Sequence, residues 1–474
     1  MFELGALFEE VADPRRAGYR QRYRLCDLLM LCLCAVLSGA NSISEISWYG
    51  RLYRALLVER LGLGFEQHTP SHDTLGRVLS LLDGAALVGV LEAWMASLHQ
   101  VTAGEVVALD GKTVRGSFDT ASGQKALHLV SAFACEAKVV LGLEEATSVG
   151  AEVEAMHALL CRLELSGRTV TLDAAGTRPD VAQTIRERGG HYLLALKANH
   201  RHLHEDVAAL FQWHQQQMGK VGLAQVGLEW QEVRHSGGGH GRFESRRVVA
   251  VCAAKAQEFL ASSLSPWPGV QTLVMVERTR KKRVRGQETR SVERAFFLCS
   301  LPAKTTQDAR TIGAAIRSHW AIENSLHWGL DVVWDEDASR VRKDNAPKNL
   351  ALLKRMVTNI MQQDASFPIS IKLKRKTAAW NPEFLLLEPR VPPLKTCRAK
   401  SGSNPNAIAL GIELKRTRFM GIAAKVARIK CRSHRQRTRK KEENVSSFPL
   451  FKLAEVLTGQ NHMVNLLLGT RTTV

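Results

Sequence analysis

The sequence predicts an α/β protein: a mixed sheet carrying a β-rich insertion, with a helical lobe before it and a basic tail after it. Three observations predict this. Apolar residues recur at helical spacing through residues 1–100. From residue 104 the pattern changes to short apolar runs closed by acids or glycines. Positive charge is concentrated at the far end of the 474-residue chain.

The first lobe carries its helical period in Leu28–Leu37, Ile46–Leu57 and Val78–Leu98. Within TPSHDT (69–74), Pro70, Ser71 and Asp73 supply the turn and cap chemistry of a helix start before Leu75. No Gly/Ser linker follows, so this lobe is expected to pack directly on the next one. There, EVVALDG (105–111), ALHLVSAFA (126–134) and KVVLGLEEA (138–146) read as strands. Helix 152–165, strand TVTLD (169–173), helix 179–190 stopped by two glycines, and strand YLLALK (192–197) complete the series. The first three strands are close enough for hairpins, and the last two need helical crossovers. That is the succession of an RNase H-like mixed sheet. Residues 201–217 read as a helix, and 225–300 as a β-rich insertion broken by SGGGHG (236–241). A helix-rich segment spans 307–363, and beyond 388 the Pro-, Ser- and Arg-rich text predicts partial disorder.

The net charge is +19. Residues 371–474 hold 22 Lys and Arg against 6 Asp and Glu, whereas residues 1–370 hold 43 against 40. A polyanionic partner is expected, nucleic acid before membrane, gripped by local patches on the body of the chain. Nine cysteines with no CxxC pair argue against a disulfide framework and a zinc ribbon and suit a reducing cytosol. Leu28–Leu37 is too short to span a bilayer and is preceded by no signal-peptide pattern, so a buried helix is expected.

Two acids, Asp110 and Asp173, close the first and fourth strands. On neighbouring strands about 4.7–4.9 Å apart, carboxylates at the same edge can share hard cations such as Mg²⁺ or Mn²⁺. A turn role for Asp110–Gly111 is the competing reading. A third acid, Glu323, lies in HWAIENSLHWGLDVVWDED with His319, His327 and Asp331 at successive i+4 steps, a polar line in an apolar helix. The tryptophans and leucines nearby predict that this line is not fully exposed, and a buried acid needs a metal or a base beside it.

Further candidates to hold DNA phosphate are Lys112 and Arg115 in DGKTVRGS, and Lys197 and Asn199 after the last sheet strand. The alternating His240, Arg242, Glu244 and Arg246 of GHGRFESRR would share one strand face, either gripping a DNA backbone or forming a salt-bridged surface.

With HWAIENSLHWGLDV, the sequence resembles the ISAs-type insertion-sequence transposases, also known as H-repeat-associated proteins, of the DDE superfamily. The resemblance runs to residue 388 and includes DPRR (13–16), TPSHDT, ALDGKTVRGS, TLDAAG, YLLALKANH, GHGRFESR and KRKTAAWNPEFLL (374–386). It implies that Asp110, Asp173 and Glu323 are the metal-binding catalytic acids, with two Mg²⁺ or Mn²⁺ ions. It implies an associated helical domain at 1–100 and a catalytic domain at 104–388, leaving 389–474 as a basic tail unlike the family. The partners implied are the element's terminal inverted repeats and target DNA, with a homodimer to bring two ends together and a cytoplasmic, nucleoid-associated location. Relatives often place Tyr, Arg and Lys around the Glu; the matching places here are Ile316, His319 and Leu330, with His319 a candidate substitute for the arginine. Two other readings stay open: a catalytically inactive or domesticated DNA-binding protein, and a zinc hydrolase using His319, Glu323 and His327, whose spacing is not HExxH.

Overall fold

The structure is a computed structural model describing residues 2–381 apart from 17–20, 98–103, 122, 148–149, 218–229, 240–241 and 285–286. The expected disordered tail at 389–474 lies outside the described residues, which all belong to one unit, Met1–Lys395.

The run VVALDGKTV makes β1 (Val106–Val114), which ends three residues later than expected. Asp110 is therefore mid-strand, and Asp110–Gly111 is not a turn. The reason is lateral pairing. β2 (Leu127–Ala134) runs antiparallel along the whole of β1, matching Asp110 to Ser131 and Val114 to Leu127. On the other side β4 (Thr169–Leu172) runs parallel and ends at the pair Leu109–Leu172. Beyond that pair no strand among the described residues pairs with β1 on the β4 side.

β3 (Val139–Glu145) pairs with β2, and β5 (His191–Leu196) with β4. The crossover helices are Glu152–Arg162 and Pro179–Glu187, so the RNase H-like succession is present. The insertion does not stand apart: β6 (Trp230–Gly239), β7 (Arg242–Cys252), β8 (Thr272–Val284) and β9 (Gln287–Cys299) continue the same sheet through β9 on β5. The nine strands lie in the order β3-β2-β1-β4-β5-β9-β8-β7-β6. Gly237, Gly238 and Gly239 do not break β6; they pair with Glu244, Phe243 and Arg242 of β7. The insertion also contains a helix, Ala253–Leu264.

Paired residues share a face. Following the registers, Asp110, Lys112, Thr171, Ala195, Phe297, Val276, Arg278 and Arg246 all lie on one face of the sheet. A helix at Thr306–Ser318 crosses that face, burying Ala309 and Ile312 against Leu193, Val248, Val274 and Cys299. Gly313 is needed at the crossing, because a Cβ there would stand 2.9 Å from a Val248 methyl.

The N-terminal helices share the main core with the sheet. Leu25–Leu37 is buried at every position but Cys26, and Ser71 caps His72–Leu81 by accepting from the Thr74 amide. Among the described residues no single helix is long and apolar enough to cross a membrane. The described cysteines are free thiols. A long helix, Ala346–Gln363, lies between this lobe and the sheet. Its Asn359 side chain accepts from the Val140 amide and donates to the Val140 carbonyl, both at 2.8 Å, closing part of the free edge of β3. Its Arg355 meets Glu336 at 2.8 Å with both side chains at most 1% exposed.

Removing one partner of such a pair strands the other charge in the core. Glu336→Ala is expected to lower the unfolding free energy by about 3–5 kcal/mol in urea titrations; a loss below about 1 kcal/mol, the ceiling for most exposed pairs, would contradict the buried pairing.

Candidate active site

Asp110 and Asp173 each follow the last paired residue, Leu109 or Leu172, of two adjacent parallel strands. Asp173 is held by the turn it begins: its carboxylate accepts from the Ala175 amide at 2.9 Å and the Gly176 amide at 3.3 Å. Thr177 ties this turn to β5, donating to the carbonyls of Asp173 and Ala195. Asn199 donates to the Ala174 carbonyl at 2.6 Å, so this expected DNA contact braces the Asp173 turn.

Glu323 arrives on the continuation of the helix that crosses the sheet. That helix is started by a reciprocal capping box, Thr305 with Asp308. After His319 the backbone widens into a π-helical turn, Ile322–His327, before resuming as Trp328–Val332. The wider turn breaks the expected i+4 stripe. His319 is mostly buried, and its Nδ1 meets the Thr171 hydroxyl at 3.0 Å. Glu323 is exposed, as are Trp320 and Trp328 at 51% and 55%. His327 turns inward, its Nδ1 3.5 Å from a carboxylate oxygen of Asp110.

A cleft of about 600 Å³ is lined by all three acids together with Lys197, Arg317 and Trp320. Another hollow, about 680 Å³, surrounds Thr113, His128 and Glu152, and contains none of the three. Volume alone does not choose between them; the convergence of the acids does.

The electrostatics are those of crowded negative charge. Burial, and then the charges of Asp173 and Glu323, push the Asp110 carboxyl up to about 7, against the single hydrogen bond from the Gly111 amide. Burial, with Arg355 and Lys112 nearby, drives His327 down to about 3, so the imidazole is neutral and its contact with Asp110 is not an ion pair. Burial also lowers the His319 pKa, so the candidate substitute for arginine carries no charge near neutral pH.

Lys112 has a different post from the one expected. It is 8% exposed, with its ammonium 2.6 Å from Asp331 and 3.2 Å from Asp337. It pins the Glu323-bearing segment to β1. Arg115 is 82% exposed and reaches Asp337 at 3.5 Å. Arg246 lines the cleft and donates to Glu244 at 2.6 Å, so the salt-bridged reading of that face holds for this pair. Lys197 is exposed at the cleft rim. His240 and the side chain of Arg242 lie outside the described residues. The lysine pin was missed in the sequence; its only trace there is opposite charge in DGKTVR and WDED.

Hard oxygen donors from three elements facing one cleft suit a divalent cation by chemistry, and a cation would relieve the repulsion around Asp110. In this conformation no three His, Cys, Asp or Glu side chains among the described residues stand close enough to hold one. The same holds for a zinc set of His319, Glu323 and His327, whose Nδ1 atoms face Thr171 and Asp110.

Residues 102–360 match the family described as "Transposase DDE domain", and residues 6–95 a companion family described as "DDE_Tnp_1-associated". YncI of Escherichia coli O157:H7 is 34% identical over 371 residues, covering 78% of this chain and 90% of YncI. The H repeat-associated YhhI of Escherichia coli K12 is 30% identical over 388 residues, covering 81% of this chain and 97% of YhhI. YbfL of the same strain is 30% identical over 386 residues, with the same two coverages.

Lys112→Met should destabilise the fold by about 1–3 kcal/mol, less than a wholly buried pair because Asp331 and Asp337 keep access to water. Hydrogen exchange should rise in residues 322–332 before the rest of the sheet. Exchange there equal to wild type would remove the pin.

Proposed function

Since the chain belongs to the DDE transposases, we propose that it cuts and rejoins DNA strands of an insertion sequence, with Asp110, Asp173 and Glu323 as the catalytic acids. The observation that supports this most is that these three residues, supplied by β1, the turn after β4 and a π-helical turn, border one cleft. They would hold two Mg²⁺ or Mn²⁺ ions, as the family resemblance implies. When bound, such ions supply charge neutralisation at the phosphate and acidify the attacking hydroxyl.

The chain's own work is positioning. Lys112 keeps the Glu323 segment against β1, Asn199 and Thr177 hold the Asp173 turn, and His319 acts as an uncharged strut between Thr171 and the crossing helix. Water attacks first to free a 3′-hydroxyl at the element end, and that hydroxyl then attacks target DNA, with no covalent protein–DNA intermediate. Terminal inverted repeats and target DNA are the partners in this reading, held by a homodimer on the nucleoid in the cytoplasm. Residues 1–100 form the associated domain, 104–388 the catalytic domain, and 389–474 a basic extension.

A second reading, a DNA-binding protein without catalysis, draws support from the spacing of the acids, which do not yet form a metal-holding group. The two readings part in a strand-cleavage assay. With Mg²⁺ and duplexes copied from the DNA flanking the reading frame, the wild type should cut, and Glu323→Gln should be slower by about a hundredfold or more. Cutting by Glu323→Gln at the wild-type rate would remove this mechanism. Salt-dependent binding by the wild type with no cutting in any divalent metal would establish the second reading.

A further inference from the structure

The acids account for one side of the cleft, and a phosphate seated there also needs cations opposite them. Three arginines on the cleft wall are engaged with carboxylates: Arg246 with Glu244 at 2.6 Å, Arg294 with Glu277 at 2.9 Å, and Arg278 with Glu293. Lys197 and Arg317 are not. Both are exposed, both border the same cleft as Asp110, Asp173 and Glu323, and neither has a carboxylate partner among the described residues.

They come from two elements that already carry the site. Lys197 directly follows β5, two residues before the Asn199 brace, and Arg317 stands in the last turn of the crossing helix, six residues before Glu323. The places where relatives often put Tyr, Arg and Lys are occupied differently here. Ile316 packs on the apolar cluster that contains Ile312, Leu193 and Val248, His319 is bonded to Thr171, and Leu330 is 0% exposed.

We propose that Lys197 and Arg317 grip the phosphate of the DNA strand being cut, a role that rests on the transposase reading above. Their pairing with that phosphate is a charge-assisted contact, with the guanidinium able to bridge two phosphate oxygens and the ammonium acting as a point charge. Exposure and the lack of a carboxylate partner leave both available until DNA arrives. Trp320 borders the cleft beside Arg317 and would exclude water from the contact.

Binding in EDTA tests this without metal or turnover. The probes are duplexes copied from the DNA flanking the reading frame, titrated against the full chain over a range of KCl, with folding checked by circular dichroism melts. Lys197→Ala and Arg317→Ala should each flatten the plot of log affinity against log salt by about 0.9, and the double variant by about twice that. Lys197→Arg and Arg317→Lys should keep the wild-type slope. A methylphosphonate at the cut position should weaken wild-type binding and cost the double alanine variant nothing further. A folded double variant with the wild-type slope would overturn the proposal, as would charge-keeping variants that behave like alanine, or equal methylphosphonate losses in both proteins. Failure of the wild type to cut DNA would instead sink the transposase reading, on which the salt-slope measurement does not depend.

Discussion

The parallel pairing of β1 with β4 is the constraint on which the site depends. Its register places Leu109 beside Leu172, so the residues that follow, Asp110 and Asp173, emerge next to each other. β4 stops there while β1 continues against β2, and Glu323 borders the same cleft as the two aspartates. A shift of one residue in this register would carry Asp110 to the opposite face, away from the crossing helix and from every cation that borders the cleft.

Placing acids together has a cost, and much of the surrounding structure counters it. Asp110 is pushed up to about 7 mainly by burial, with Asp173 and Glu323 adding to the effect. The nearest nitrogen base, His327, is itself held neutral by burial and cannot compensate with a full charge. Compensation is indirect. Lys112 satisfies Asp331 and Asp337, and the buried Glu336–Arg355 pair fastens the same segment to the long helix behind it. The site is thus supported from several elements while its acids remain separated. Repulsion of this kind is what a bound cation would remove, and in the proposed mechanism that relief draws the carboxylates together.

Much of this was legible in the sequence, and the failures are instructive. Apolar runs and glycine stops revealed the strand and helix order, because a sheet buried on both faces writes continuous hydrophobic text. The end of β1 was misplaced because Asp–Gly reads as a turn, whereas continued pairing with Leu127–Val130 keeps residues 111–114 extended. The insertion was recognised as β-rich, but its union with the main sheet was not, since the pairing of Leu193–Leu196 with Phe296–Cys299 spans about a hundred residues and leaves no local mark. The π-helical turn was invisible for the opposite reason: i+4 periodicity is what the residue spacing displays, and the inserted register shift is a tertiary effect. Lys112 showed the limit of local reading. In DGKTVRGS it stands among turn-like polar residues, and only the distant Asp331 and Asp337 explain its burial.

The most direct measurement is metal binding by the resting protein, read as a change in thermal stability on adding Mn²⁺ without DNA. A ligand at about a hundredfold its dissociation constant stabilises the native state by about 2.7 kcal/mol, a readily measured rise in melting temperature. That rise is expected for the wild type and should be abolished in Asp110→Asn, Asp173→Asn and Glu323→Gln alike, because the proposed site needs all three. A wild type that Mn²⁺ does not stabilise, or a response that survives loss of any one of these acids, would contradict a shared metal site.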